Sequence, residues 1–200
     1  MTSALTGKKR ERYDSILDAA LKVFAEHGYF GSQVSRIARQ AGVADGTIYL
    51  YFESKEDILV SLFREKLGAL ISKFHDHIAD DDPADIALRK ICEIHYTELE
   101  ANVDLAKVTQ IELRQSSLDL RHEIGQVLKP YIQLIESILN RGMKQGVFRS
   151  GIDTKVTRLL VFGAMDEVVT SWLISGHKYS LAAQADSTLD FFVRALKPEA

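Results

Sequence analysis

The sequence predicts an all-α protein, and three observations support that prediction. Apolar residues recur at helical spacing along most of the 200 residues, and no segment alternates apolar and polar residues as a half-buried strand does. Only 3 prolines and 12 glycines interrupt the chain, which favours long helices over a turn-rich β fold. Hydrophobic residues make up 46% of the sequence, enough for a sizeable buried core.

Three helices are predicted in the first 52 residues. The first ends near Gly28, because glycine is the usual residue just after a helix C-terminus. The second follows over 34–41, with Ser32 as its expected N-cap. The third is the short helix Gly46–Phe52, for which Asp45 is the expected N-cap. Two short helices joined by a tight, glycine-containing turn form a helix-turn-helix.

The rest of the chain predicts longer helices, which brings the total to about nine. Ser54 caps a long helix that extends to about Ile78, and an Asp-rich segment ending in Pro83 separates it from the next one. The remaining helices are predicted at Ala84–Glu100, Asp104–Ser116, Leu118–Gln145, Asp153–Ser175 and Ser180–Leu196.

Composition excludes several classes of protein. The net charge of -3 is unlike that of a protein that coats nucleic acid, although basic residues concentrate at Lys8–Arg12. Cys92 is the only cysteine, so an internal disulfide and a cysteine-rich zinc site are excluded. The first residues, MTSALTGKKRER, contain no apolar run, and no charge-free apolar stretch reaches membrane-spanning length. We therefore expect no signal peptide, a reducing compartment and a cytoplasmic location.

The third predicted helix carries side chains suited to DNA. In a helix-turn-helix the second helix enters the major groove while the first contacts the backbone. Thr47, Tyr49 and Tyr51 offer hydroxyls and ring surface to phosphates and base edges. Gly46 permits close backbone approach, and Lys55 lies at a helix start that favours a phosphate. On pattern alone, a short helix pair with two core tyrosines fits equally well.

The segment from Ile37 to Lys55 contains the signature IA-x-x-AGV-x-x-GT-x-Y-x-YF-x-x-K and resembles the TetR family of bacterial repressors. The resemblance implies a DNA-binding domain at 8–53, with the helix-turn-helix at about 32–52, and a ligand-binding and dimerisation domain at 54–200. The implied DNA contacts are Ser32, Gln33, Arg36, Gly46, Thr47, Tyr49, Leu50, Tyr51 and Lys55.

Two details refine the expected DNA contacts. Asp45 departs from the family pattern, in which many relatives carry Lys or Arg, and its carboxylate would repel phosphate. We therefore expect no DNA contact at that position. Lys8–Arg12 resembles the basic arm that some relatives lay along or into the minor groove.

Two later segments resemble a narrower group, the acyl-CoA-responsive repressors of fatty-acid degradation in Bacillus-type bacteria. They read VTQIELRQSSLDLRHEIGQVLKPYI and FGAMDEVVTSW. The resemblance implies a repressor that binds a palindromic operator of fatty-acid degradation genes and is released by long-chain acyl-CoA. It implies no other cofactor, no metal and no membrane partner.

An acyl-CoA needs an apolar tunnel for its tail and cations for its polyanionic head. The candidate tunnel residues are Ile91, Leu99, Leu105, Val108, Leu128, Tyr131, Ile135, Phe162, Met165 and Val169, each of which also suits a plain core position. The candidate cations are Arg89, Arg114 and Arg121, with Lys90 and Lys129 as further possibilities. An ion pair with Glu112, Asp166 or Glu167 explains Arg114 equally well.

The segment Val156–Ile174 is the most apolar part of the chain, with apolar residues on nearly all of its faces. Both sides of such a helix should be buried, which the surface of a monomer does not explain. In TetR-like repressors the last two helices form a four-helix bundle with the same pair from a partner. We therefore expect a homodimer through Asp153–Ser175 and Ser180–Leu196.

Three alternatives were considered. A TetR-type sensor of drugs or other apolar metabolites would share the whole DNA-binding half. An enzyme is disfavoured, because the chain has no Gly-rich loop after a strand and no His-Glu-x-x-His motif, and His75 and His77 lie on differing helix faces. Cys92 and His95 are spaced as a nucleophile and base, but a buried structural cysteine is the simpler interpretation. A helical scaffold that does not bind DNA conflicts with the 37–55 signature.

Overall fold

The computed structural model describes residues 7–112 and 117–198, and within them the protein is built from α-helices without a strand. This confirms the predicted fold class. The helices are α1 (Lys8–Gly31), α2 (Val34–Ala41), α3 (Asp45–Ile48), α4 (Lys55–His77), α5 (Ala84–Ala101), α6 (Val103–Lys107), α7 (Leu118–Gln145), α8 (Thr154–Ile174) and α9 (Ala185–Leu196).

The first three helices form a small three-helix unit. Ile16, Ile37 and Ile48, one from each helix, are fully buried at its centre. The ring of Phe52 turns inward and stacks on Tyr13, with ring centroids 5.0 Å apart. These contacts hold α2 and α3 against α1, because a helix of one or two turns is marginal in water without tertiary packing.

Three predicted helix ends in this unit need correction. Gln33, not Ser32, precedes α2, and the buried Ser32 hydroxyl donates instead to the Gly28 carbonyl at 2.6 Å. Asp45 is the first residue of α3 and not its N-cap. Helix α3 ends at Ile48 and a turn follows, because the chain must tighten there to bring Phe52 inward. Gly28 does mark the predicted end of regular helix, with φ of 70° inside α1.

Helix α4 joins the two halves of the molecule, as the sequence predicts. Ser54 is its N-cap, and its hydroxyl accepts a hydrogen bond from the Asp57 amide at 3.1 Å. Along its length α4 packs against α1 at one end and against α5 and α7 at the other. Helix α4 is therefore one continuous element that contacts both halves.

The larger half differs from prediction in two helices. Within the described residues, the predicted helix Asp104–Ser116 consists of α6 followed by a π-helical turn at Val108–Glu112, and its predicted end at 113–116 lies outside them. The Thr109 hydroxyl donates to the carbonyls of Leu105 and Ala106, which competes with regular helical bonding. The last helix begins at Ala185 and not at Ser180.

Glu100 of α5 binds the chain just before that last helix. Its carboxylate accepts hydrogen bonds from the amides of Leu181 and Ala182 at 2.8 and 3.3 Å. These amides are satisfied by a side chain of α5, and the chain there forms a short 3₁₀ turn, Ala182–Gln184, before α9 begins.

Candidate nucleic-acid interface and ligand cavity

The turn after α3 presents two neighbouring side chains outward. Tyr49 is 58% exposed and Leu50 is 76% exposed, whereas Ile48 just before them is fully buried. Thr47 is half-buried beside them, and the Tyr51 ring packs against the core. The space beside the Cα atom of Gly46 is empty, since an added Cβ would meet no atom within 4 Å. The buried Ile48 thus holds Tyr49 and Leu50 at the surface that the sequence predicts to enter the major groove.

The start of α2 adds a polar edge to this surface. Gln33 and Arg36 are exposed, and the Arg36 guanidinium lies 2.6 Å from the His27 ring nitrogen. Ser32 does not belong to this edge. Only 2% of it is exposed and its hydroxyl bonds within the fold, so the hydroxyl is not available to DNA in this conformation.

Lys55 has an internal role that the sequence did not reveal. Its ammonium donates to the carbonyls of Tyr29 and Ser32 at 2.9 and 3.1 Å, and lies 4.4 Å from the centre of the Tyr29 ring. The Tyr29 hydroxyl in turn donates to Glu56 at 2.6 Å. These contacts fasten the first turn of α4 to the end of α1, so Lys55 holds the helix-turn-helix in place.

The larger half contains a cavity of about 250 Å³ enclosed by α4, α5, α6 with its π-helical turn, α7 and α8. About half of its lining residues carry apolar side chains, and the others are polar or charged, including the acids Glu98 and Asp166 as well as two lysines. The lining residues are Phe63, Lys66, Leu67, Ala69, Leu70, Lys73, His95, Glu98, Leu99, Asn102, Leu105, Thr109, Gln110, Leu128, Tyr131, Phe162 and Asp166.

The structure brings five of the predicted tunnel residues to this cavity: Leu99, Leu105, Leu128, Tyr131 and Phe162. The other predicted tunnel residues are buried between helices and are absent from its wall. They are Ile91, Val108, Ile135, Met165 and Val169, all at most 1% exposed. Apolar periodicity identifies a buried face but does not say whether the face meets a neighbour or a void.

None of the predicted cations among the described residues lines the cavity. Arg89 pairs with Asp186 at 3.0 Å and Asp190 at 3.7 Å, and so joins α5 to α9. Arg121 is exposed on α7 and does not line the cavity. Arg114 lies outside the described residues.

Two lysines of α4 line the cavity instead, and sequence reasoning missed both. Lys66 bonds to Asp18 of α1 at 2.8 Å, and Lys73 pairs with Glu98 of α5. Their side chains are partly exposed, which places them at the rim and not in the interior. Their spacing of two helical turns, on the same side of α4 as Leu70, was the available signal.

Buried polar groups lie inside the apolar wall. The ring nitrogen Nδ1 of His95 lies 3.2 Å from the Tyr131 hydroxyl, and both residues are enclosed by the core. Burial lowers the pKa of His95 to about 4, against the opposing effect of the Asp166 carboxylate. Gln110 accepts a hydrogen bond from Thr170 at 3.0 Å.

Cys92 does not form a catalytic pair with His95. Its thiol lies 3.9 Å from the Ala185 carbonyl, and burial raises its pKa to about 12. His95 is hydrogen-bonded to Tyr131 instead. A protonated thiol without a base beside it is a poor nucleophile, so the structural interpretation of Cys92 holds.

The outer face of α8 is apolar and uncovered in the single chain. Val156, Leu159, Leu160 and Ile174 are each more than half exposed, and Phe191 of α9 extends the patch. The opposite face of α8 is buried against the core through Val161, Met165, Val169 and Trp172.

Two features are absent from residues 7–112 and 117–198. No helix there is long and apolar enough to cross a membrane. No three His, Cys, Asp or Glu side chains in the same ranges are grouped as a metal site would require.

Comparison with known proteins places both halves of the chain. Residues 16–62 match the family described as bacterial regulatory proteins, tetR family, and residues 63–195 match the C-terminal region of YsiA-like proteins. The fatty acid metabolism regulator protein of Bacillus subtilis is 46% identical over 189 residues, which cover 94% of this chain and 97% of that protein.

Two solved structures are similar over nearly their whole length. The transcriptional regulator FadR from Bacillus subtilis in complex with stearoyl-CoA superposes with a TM-score of 0.89 at 46% identity, covering 92% of this chain and 99% of that one. The fatty acid degradation regulator FadR from Bacillus halodurans gives 0.89 at 43% identity, covering 97% and 99%. The chain therefore belongs to the TetR family of bacterial regulatory proteins.

Proposed function

We propose that this protein is a homodimeric repressor that binds a palindromic operator of fatty-acid degradation genes and is released by long-chain acyl-CoA. Residues 8–53 would bind the operator, and residues 54–200 would bind the effector and dimerise. The observation that carries the proposal is the apolar cavity with lysines at its rim, in a chain 46% identical to a Bacillus fatty acid metabolism regulator.

The cavity suits the two chemical parts of an acyl-CoA. An aliphatic tail gains about 0.8 kcal/mol for each methylene it buries, so the apolar wall rewards length until the space is full. Lys66 and Lys73 supply positive charge where an anionic head would remain near solvent. The stearoyl-CoA complex of the Bacillus subtilis relative supports the same ligand class.

The DNA half would contact the operator mainly through Tyr49, Leu50 and Thr47, with Gln33 and Arg36 beside them. These side chains belong to one surface, whereas Lys55 acts from within the fold and Ser32 is buried. Two such surfaces must lie about 34–36 Å apart to meet successive major grooves of B-DNA, which requires a symmetric dimer. We assign the basic segment Lys8–Arg12 to the flanking backbone or minor groove.

The dimer would form through the apolar outer face of α8 with Phe191 of α9. A Leu160→Glu substitution places a carboxylate at the middle of that face in both subunits, so we expect monomers at concentrations where the wild type is dimeric. Sedimentation velocity measures this. Leu118→Glu is the matched control, because Leu118 is equally apolar and 79% exposed but lies on α7. Dimers of Leu160→Glu that match the wild type would contradict the assignment.

Effector and operator would communicate through contacts between α1 and the cavity wall. Helix α1 packs against α4 and also against α6 and its π-helical turn, and both of these segments line the cavity. Filling the cavity would move the support beneath α1 and change the spacing of the two recognition surfaces. A coupling of about 1–3 kcal/mol per site is typical of such systems.

Thermal unfolding with saturated acyl-CoAs of increasing chain length tests the ligand assignment. A ligand at 100 times its Kd adds about 2.7 kcal/mol of stability, which shifts the melting temperature measurably. We expect the shift to grow with chain length and to require the CoA head, with free CoA and free fatty acids as controls. The best ligand should then release the protein from operator DNA in a fluorescence-anisotropy titration.

The second candidate is a TetR-type regulator that senses another apolar compound. The specific observation in its favour is that two of the polar cavity groups, His95 and Gln110, lie inside the wall where a hydrocarbon tail has no partner for them. Stabilisation by compact apolar compounds, without any response to acyl-CoAs, would favour this candidate. Neither candidate is an enzyme, and the curated relatives are regulators.

A further inference from the structure

His95 places a polar atom inside the cavity that nothing described in the protein satisfies. The residue is 7% exposed and lines the cavity. Its Nδ1 atom lies 3.2 Å from the Tyr131 hydroxyl, whereas its Nε2 atom is buried and has no hydrogen-bond partner among the described residues. A buried polar atom without a partner is rare in a folded protein and calls for an explanation.

Counting donors and acceptors decides which nitrogen carries the proton. Burial raises the pKa of Tyr131 well above its usual range, so its phenol keeps a proton that needs an acceptor. If Nδ1 accepts that proton, Nε2–H is the single unsatisfied group. If Nδ1 carried the proton instead, it would donate to the Tyr131 oxygen, and both the Tyr131 O–H proton and the Nε2 lone pair would be left without a partner. The first arrangement leaves fewer buried groups unsatisfied, so His95 directs an N–H donor into the cavity.

We propose that His95 Nε2–H donates a hydrogen bond to the thioester carbonyl of the bound acyl-CoA, and that Tyr131 holds the ring in the tautomer that allows it. This inference rests on the proposed function and adds to it a residue that recognises the thioester group of the ligand. A saturated tail has no acceptor, and the first acceptor beyond the tail is the thioester oxygen. His95 is enclosed while Lys66 and Lys73 are partly exposed at the rim. The enclosed His95 and the rim lysines match the carbonyl and the head, and the apolar side chains of the lining are left for the tail.

The consequence is discrimination between a thioester and a plain alkyl chain. A ligand that fills the cavity excludes water from Nε2–H. If the ligand has no acceptor, the Nε2–H donor is left desolvated and unsatisfied, and this free-energy cost weakens ligand binding. The site should therefore reject chains of the right length that lack a carbonyl at this depth.

The test compares stearoyl-CoA with S-octadecyl-CoA, a thioether in which a methylene replaces the carbonyl and the chain length and the CoA head are unchanged. Isothermal titration with the full-length protein should give roughly tenfold weaker binding of the thioether. His95→Leu should bind both ligands and lose the preference. His95→Gln keeps an N–H donor near the position of Nε2 and should retain part of it.

Tyr131→Phe separates positioning from packing. The ring remains, but the hydroxyl that fixes the tautomer is gone, so the preference for the thioester should fall while the affinity for the thioether changes little. Isotope-edited infrared spectra of stearoyl-CoA with a ¹³C-labelled carbonyl provide a second readout. We expect the carbonyl stretch to lie at lower frequency in the wild type than in His95→Leu.

The outcomes separate this inference from the function on which it rests. If neither ligand binds the wild type, the proposed effector class is wrong. If both bind the wild type equally well, or if His95→Leu keeps the preference, the proposed function stands and His95 does not contact the carbonyl. If His95→Leu does not fold, the wild-type preference and the infrared shift with Tyr131→Phe still decide the question.

Discussion

The two working regions of this regulator are built in opposite ways. The candidate DNA surface comes from one contiguous segment, 32–55, and its exposed side chains are fixed by a buried residue next to them, as Ile48 fixes Tyr49. The cavity draws its wall from helices α4 through α8. The contiguous surface needs only α1, α2, α3 and the first turn of α4 to be packed together, whereas the cavity exists only when helices from the whole larger half are correctly packed.

This difference has a functional consequence. A rigid local surface suits the reading of a fixed DNA geometry, while a cavity assembled from many helices can change shape when it is filled. The connections between the two regions are few: helix α4, the packing of α1 on α6 and its π-helical turn, and ion pairs such as Lys66–Asp18. A substitution in one region, followed by measurement of both ligand binding and operator binding, tests how strongly the two regions are connected.

The largest effect is expected at the DNA surface. Tyr49→Ala removes an exposed ring from each subunit, and a base or backbone contact of this kind contributes about 1–3 kcal/mol. With two copies per dimer, we expect operator affinity to fall by roughly a thousandfold, measured by anisotropy. Binding of stearoyl-CoA should not change.

Tyr179→Ala is the control for this substitution, because it removes a partly exposed tyrosine that follows α8, outside the DNA-binding half. It should leave operator affinity intact. Wild-type affinity in Tyr49→Ala would remove Tyr49 from the contact surface and would place the reading of bases elsewhere.

The next effect belongs to the cavity and depends on pH. Burial lowers the pKa of His95 to about 4, so the folded state excludes a proton that the unfolded chain binds below its ordinary pKa of 6.5. Stability is then complete above pH 6.5 and is lost as the pH falls toward 4. The shift corresponds to about 3 kcal/mol.

Urea unfolding of the wild type and of His95→Gln between pH 7 and 4 measures this contribution. The wild type should lose more stability over that window than the variant, because the variant has no group to protonate there. Parallel pH curves for the two proteins would show that the imidazole is not held neutral by burial.

More of the DNA-binding region than of the cavity could be predicted from the sequence, because sequence patterns report local structure and not tertiary packing. Motif spacing and periodicity report local structure, so they could predict the Ser54 cap, the course of α4 and the exposure of Tyr49. Cavity walls depend on tertiary packing. The partner of Arg89 is Asp186, 97 residues away, and pattern alone favoured that arginine over Lys66 as a ligand contact. The same limit explains why buried Ile135 and Met165 were indistinguishable from lining residues.

A smaller effect should follow from narrowing the cavity. Leu128→Trp adds ring volume to the wall and would exclude two or three methylenes of a long tail, a loss of about 2 kcal/mol in binding. The best ligand in a chain-length series should become shorter, while operator binding in the absence of ligand stays unchanged. Val127→Trp is the control, because Val127 is next to Leu128 in the sequence but lines an outer groove between α4 and α7. An unchanged optimum in Leu128→Trp would mean that tails do not reach this wall.

The smallest effect tests the connection between the regions. Lys66 lines the cavity rim and bonds to Asp18 of α1 at 2.8 Å, so an anionic head that recruits Lys66 would compete with Asp18. An exposed ion pair contributes about 0.2–1 kcal/mol. We therefore expect Asp18→Asn to strengthen stearoyl-CoA binding by at most about fivefold and to weaken the effect of ligand on operator affinity.

Asp14→Asn provides the matched comparison, since Asp14 also lies on α1 but pairs at 2.9 Å with Arg10, a residue that does not line the cavity. Both variants remove one carboxylate from the same helix, so any general effect of charge on DNA affinity is shared. Only Asp18→Asn frees a cation at the cavity, and only it should change ligand affinity. Equal ligand affinities in the two variants would mean that Lys66 does not carry the coupling, leaving helix α4 and the packing of α1 on α6 and its π-helical turn as the routes from cavity to DNA surface.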